Sequence, residues 1–156
     1  MEKLDSLNQV AAFHKTFKAP ILDTPQVPSE DRSKLRVSLI AEELKELEDG
    51  IRNNDIVEIA DALCDIQYVL SGAVLEFGLG NKFVELFNEV QRSNMSKACQ
   101  TIQEAEATVK FYFDKDGTEA FIEPDGEQFL VYRKSDNKIL KSINYSPANL
   151  EAILSK

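Results

Sequence analysis

Residues 55–77, DIVEIADALCDIQYVLSGAVLEF, constrain this chain more than any other stretch. Wound as a helix at about 100° per residue, they bring Glu58, Asp61, Asp65 and Glu76 into one sector of about 60°. Almost every other direction is apolar: Ile59, Leu63, Ile66, Leu70, Val74 and Phe77 cover one flank, and Val57, Cys64, Tyr68 and Leu75 the other. A helix apolar nearly all round is expected to be buried, so a line of carboxylates along it is not solvent decoration. Crowding such carboxylates in a bundle without cations costs several kcal/mol each, on the order of the penalty for buried ions. Two compensations are open: pairing with Arg36, Lys82, Arg92 or Lys97, or a bound divalent metal. Oxygen donors without His or paired Cys suit Mg²⁺ or Mn²⁺ rather than zinc.

The preceding helix carries acids of its own. Glu42, Glu43 and Glu46 lie off the stripe formed by Ile40, Leu44, Leu47 and Ile51, which by itself describes an ordinary solvated face. If the two helices are antiparallel neighbours, Glu43 and Glu46 on one and Glu58 and Asp61 on the next, each pair at i, i+3, surround a common point. The net charge supports reading this as one feature: of the chain's −9, residues 42–65 hold −7. That charge argues against a duplex-coating or anionic-membrane protein. The N-terminus lacks a signal-peptide pattern, and no apolar run reaches the ~20 residues that span a bilayer, so a cytoplasmic location is expected. Cys64 and Cys99 read as free thiols. His14, the sole histidine, rules out any site needing two histidine ligands.

Along the 156 residues, helices are expected over 3–18, from Ser29 to Asn53, from 55 to 77, and from Asn81 towards Lys97. Pro20, Pro25 and Pro28 mark a loop between the first two, and Gly78 and Gly80 end the third. Beyond 107, Thr108–Phe113, Ala120–Ile122 and Phe129–Arg133 alternate apolar and polar residues around Asp116-Gly117 and Asp125-Gly126, predicting a small antiparallel sheet of about three strands. Lys138–Ile143 is a possible fourth, and Ser146-Pro147 opens a short last helix. The expected fold is mainly α, a four-to-five-helix bundle over residues 1–104 with a β-rich extension over 105–156 packed on it.

Glu42-Glu43-Leu44-Lys45-Glu46 followed by Glu58-Ile59-Ala60-Asp61 resembles the EExxE…ExxD signature of the all-α nucleoside triphosphate pyrophosphatases, which include MazG-like enzymes, dimeric dUTPase-like enzymes and phosphoribosyl-ATP pyrophosphohydrolase. Phe13-His14 and Ser93-Asn94-Met95-Ser96-Lys97 are also similar to MazG-type members. The resemblance implies Mg²⁺-dependent cleavage between the α and β phosphorus atoms of a (deoxy)nucleoside triphosphate, giving a monophosphate and pyrophosphate in nucleotide-pool house-cleaning. It implies Glu43, Glu46, Glu58 and Asp61 as metal ligands and Glu42 as the acid that orients or deprotonates the attacking water. Asn94 and Lys97 then contact phosphate or sugar. His14 and Phe13 line a nucleobase pocket, with a structural histidine as the equal alternative. Asp65, one turn past the motif, reads as outer support or helix pairing. The resemblance also implies a homodimer or homotetramer. The alternatives are phosphoribosyl-ATP pyrophosphohydrolase activity, a non-catalytic metal-dependent nucleotide-binding module, and a bundle whose acids pair with Arg and Lys. For Arg133, Lys138, Lys141 and Tyr145, contact with substrate, covering of the site, dimerisation and plain surface all stay open.

Overall fold

The computed structural model describes residues 4–156, so the start of the chain, including Lys3 of the expected first helix, lies outside the described residues. The described residues are mainly helical, with six helices and one two-stranded antiparallel sheet, in two compact units that divide between Phe83 and Val84.

The first unit holds α1 (Ser6–Phe17), α2 (Glu30–Asn53) and α3 (Ile56–Glu76). Asn54, in the left-handed region, closes α2, and the Asp55 carboxylate accepts hydrogen bonds from the Val57 and Glu58 amides. The two longest helices are thereby joined by a tight reversal, and α3 packs against both α2 and α1. The proline loop is tied to the far end of α3, where the Leu22 amide donates to the Leu75 carbonyl and the Gln26 amide to that of Phe77. Val10, Ala62, Val74 and Leu75 are buried here.

The expectation that α3 is buried all round is corrected. Two flanking helices cannot enclose a third, and Val57 and Leu63 remain 72% and 51% exposed. Leu44 and Ile51 on α2 are exposed as well.

The second unit begins within α4 (Phe83–Met95) and continues through α5 (Ile102–Asp116), β1 (Ala120–Asp125), β2 (Gln128–Arg133) and α6 (Leu150–Leu154). The strands pair from Ala120 opposite Arg133 to Asp125 opposite Gln128, so Asp125-Gly126 is the expected hairpin. Thr108–Phe113 is not a strand. It belongs to α5, whose Ala105, Thr108, Val109 and Tyr112 recur at helical spacing; Ala105 and Thr108 are buried, and Val109 and Tyr112 are partly covered. Asp116-Gly117 is accordingly no hairpin. Gly117 takes φ +73° and its amide donates to the Phe113 carbonyl, which ends a helix where glycine tolerates the left-handed conformation.

Lys138–Ile143 forms no strand and contributes only an isolated bridge between Tyr132 and Ile139. The last helix starts at Leu150, capped by Asn149, later than Ser146-Pro147 suggests. Cys99, Ala105, Val131 and Leu140 form this unit's buried core, and both cysteines are free.

Candidate active site

Contacts down the seam between α2 and α3 set which side chains face one another. Near the reversal, Gly50 approaches Ile59 so closely that an added Cβ would sit 3.1 Å from the Ile59 nitrogen. Further along, the Arg36 guanidinium crosses α3 at Gly72, where a Cβ would lie 2.6 Å from Nη1. At the far end Arg32 and Arg36 both bond the Glu76 carboxylate. Midway between these contacts along α2 lies Glu43, within electrostatic reach of Asp65 and Asp61 on α3.

Glu43 is half-buried, and its carboxyl is pushed above the usual range, first by burial and then by Glu46, Asp65, Glu42 and Asp61. Every one of these influences opposes ionisation. Among the described residues none of Glu42, Glu43, Glu46, Glu58, Asp61 and Asp65 forms an ion pair, although neighbouring Asp49 is held by Lys45 and Arg52. Arg36 and Arg92, candidates for neutralising the acids, are committed elsewhere, to Glu76 and Glu89.

Glu46, Asp65, Glu42 and Asp61 thus all lie within electrostatic reach of Glu43. Glu58, exposed on the first turn of α3, is not among the groups acting on Glu43. Asp65 acts on Glu43 more strongly than Asp61 does, and its signal in the sequence is its place on the same narrow line as Glu58 and Asp61. Among the described residues, no three His, Cys, Asp or Glu side chains are gathered tightly enough to hold a metal. The donor chemistry nevertheless fits a hard divalent cation: these are carboxylates only, they repel one another, and among the described residues none of them forms an ion pair.

Beside this seam lies a pocket of about 280 Å³ lined by Phe13, His14, Arg36, Leu39, Tyr68 and Gly72, among others. Leu39 is one turn before Glu43 and Tyr68 about one turn after Asp65, so pocket and acids adjoin along the same two helices. Phe13 and Tyr68 meet edge to face at 5.6 Å between centroids. His14 is only 2% exposed. Its Nδ1 lies 2.8 Å from the Pro20 carbonyl oxygen and its Nε2 3.2 Å from Arg36 Nη2. A carbonyl only accepts and a guanidinium only donates, so Nδ1 carries the proton and Nε2 accepts. Both ring nitrogens are thus engaged within the protein, and His14 contributes a wall to the pocket while holding Arg36 in place.

Glu76, which shares the acidic line of α3, takes no part in the cluster. Burial pushes its carboxyl up, but the hydrogen bonds and charges of Arg36 and Arg32 outweigh this and hold it below the ordinary carboxylate range. In the second unit, Asn94 is exposed on the last turn of α4, and Lys97 lies two residues past the helix end with Nζ donating to Asn94 Oδ1 at 2.9 Å.

A family model described as phosphoribosyl-ATP pyrophosphohydrolase matches residues 10–94, more than half of the chain and all of the acidic seam. An uncharacterized protein of Acanthamoeba polyphaga mimivirus is 25% identical, over 98% of this chain and 97% of that protein. That likeness continues past residue 94, where the family match ends. The family lies in the all-α nucleoside triphosphate pyrophosphatase superfamily together with the MazG-like proteins, in agreement with the EExxE…ExxD resemblance. The chain belongs to the phosphoribosyl-ATP pyrophosphohydrolase family, a family of pyrophosphohydrolases.

Proposed function

We propose that this pyrophosphohydrolase acts on a nucleoside or deoxynucleoside triphosphate with Mg²⁺, cleaving between the α and β phosphorus atoms to release a monophosphate and pyrophosphate. The observation that carries the reading is the uncompensated carboxylate cluster set beside a pocket of nucleobase size. In this reading Glu43, Glu46, Glu58 and Asp61 hold the cation, with Asp65 added because its charge acts on Glu43. Held there, Mg²⁺ or Mn²⁺ would supply positive charge for the phosphate oxygens and Lewis acidity towards the attacking water. Glu42 accepts the proton of the attacking water. Phe13 and Tyr68 flank the base, and Arg36, held by His14 and Glu76, offers hydrogen-bond donors at the pocket wall. Asn94 and Lys97 contact phosphate or sugar, with Lys97 acting as a point charge.

The exposed apolar residues of α2 and α3 favour a homodimer or homotetramer, which would cover them. A cytoplasmic role in clearing the nucleotide pool completes the proposal. No described helix is long and apolar enough to cross a membrane. The family match favours a second reading, in which phosphoribosyl-ATP is the substrate.

A panel of standard and modified triphosphates plus phosphoribosyl-ATP, incubated with Mg²⁺ and scored separately for pyrophosphate and orthophosphate, tests both. Pyrophosphate from a triphosphate supports the first reading, and pyrophosphate from phosphoribosyl-ATP alone the second. Orthophosphate only, or no turnover at all, contradicts both.

A further inference from the structure

Within the second unit, the segment after β2 returns along the end of α4 and is fastened there at several points. The Ser142 amide donates to the Lys97 carbonyl at 3.2 Å. Tyr145 Oη and Ser93 Oγ share a hydrogen bond of 2.9 Å, and Arg92 Nη2 donates to the Pro147 carbonyl at 3.0 Å. This docking places Lys141 Nζ 4.3 Å from the Tyr145 ring centroid, on the side chain whose hydroxyl reaches α4. Two lysines far apart in sequence, Lys97 and Lys141, are thereby brought around one tyrosine.

Neither lysine meets a carboxylate among the described residues, in a chain of net charge −9 whose Lys45, Lys110, Lys134 and Lys156 each hold one. Lys97 spends one donor on Asn94 Oδ1, and Lys141 faces only an aromatic ring. Arg92 is neutralised by Glu89. The Tyr145 hydroxyl registers the surplus: its ionisation is shifted down by the Ser93 hydrogen bond first, against a smaller effect of burial, and then by Lys141, Lys97 and Arg92. Two unspent ammonium groups, flanked by hydroxyl and amide side chains, match a compact anion with about two charges and several acceptor oxygens. A lone carboxylate would leave half of that charge unmatched.

We propose that Lys97 and Lys141, with Ser93, Asn94 and the Tyr145 hydroxyl, form a binding site for a phosphate-class anion. The C-terminal segment then supplies half of a ligand site and is more than a cover for the helices. The proposal shares Asn94 and Lys97 with the function proposed above but rests on no metal and no turnover. The two fail separately, because one is measured as binding in EDTA and the other as product release with Mg²⁺.

Calorimetric titration of the full chain in EDTA with inorganic pyrophosphate, a nucleoside monophosphate and the uncharged nucleoside tests it. Pyrophosphate is expected to bind, with affinity at least about tenfold weaker in Lys141→Ala, largely restored in Lys141→Arg, and unchanged in the control Lys110→Ala. Weakening of the monophosphate as well identifies the nucleotide's own phosphate as a ligand, whereas weakening of pyrophosphate alone identifies the free anion. Bound pyrophosphate should also move the tyrosinate absorbance to higher pH in the native chain but not in Tyr145→Phe. Equal pyrophosphate affinity in Lys141→Ala and the native chain, or nucleoside bound as tightly as its monophosphate, overturns the proposal.

Discussion

Two glutamates within one unit show how neighbours decide what a carboxylate does. Glu76 is 1% exposed and held by two arginines, so its ionised form is the stable one. Its pKa is depressed from 4.5, so its contribution to stability is present above that value and is lost as pH falls through the lower folded value. Glu76→Gln leaves two guanidiniums facing a neutral amide. Breaking a buried pair in this way costs about 3 kcal/mol, and somewhat less here because Arg32 is partly solvated. Thermal melts at several pH values check this: the variant should melt lower at pH 7, and the gap should close towards acid pH.

Glu43 has the opposite sign. Its folded pKa is raised, so in metal-free protein stability falls as pH rises from the ordinary glutamate range through the higher folded value. Glu43→Gln removes that repulsion and, in EDTA at pH 7, is expected to raise the melting temperature by about 1–2 °C, a fraction of a kcal/mol. A lower melting temperature would mean that Glu43 has a cationic partner.

At the scale of elements, the helices carrying the acids were legible because proline, glycine and Asp55 punctuate them and their apolar spacing is sustained. The fifth helix is hidden in the sequence for a local reason: Thr-Val-Lys-Phe-Tyr-Phe at 108–113 is rich in β-branched and aromatic residues, and its alternation masks the helical recurrence of Ala105, Thr108, Val109 and Tyr112. The decisive signal lay upstream in Thr101-Ile102-Gln103-Glu104. There the Glu104 amide donates to Thr101 Oγ1 at 3.1 Å, and the Glu104 carboxylate accepts from the Gln100 amide at 2.9 Å, which is close to a capping box.

The candidate site was legible as acids on two helices. Which acids face one another depends on the stagger of α2 against α3, which Gly50, Gly72 and the Arg32–Glu76 contact set and spacing alone does not. For the same reason spacing leaves Arg36 open to pair with the acids, whereas the structure commits it to Glu76.

These two helices also expose Leu44, Ile51, Val57 and Leu63, large side chains that are costly to leave in water. Sedimentation analysis is expected to give a multiple of the 17.6 kDa chain mass, and Ile51→Glu should weaken the assembly at least tenfold. A native chain that sediments as a monomer would contradict the proposed oligomer.

On the scale of the whole molecule, the net charge of −9 belongs to the metal-free chain. A surface this acidic repels polyphosphates, yet the family it belongs to hydrolyses a phosphoanhydride. Concentrating most of the charge in residues 42–65 resolves the conflict if divalent cations occupy that seam, where they would convert a repelling surface into one that accepts phosphate. In the second unit the proposed anion site would answer the same problem differently, with two lysines that meet no carboxylate among the described residues.

In the proposed function the seam carboxylates act through a divalent cation. The most direct test is pyrophosphate release from the best triphosphate, with Mg²⁺ and with EDTA, by the native chain and by Asp61→Asn. Release is expected only with Mg²⁺, with a loss of at least about a thousandfold in Asp61→Asn whose circular dichroism and melting curve remain native. Release that continues in EDTA, or a folded Asp61→Asn that retains native activity, would contradict it.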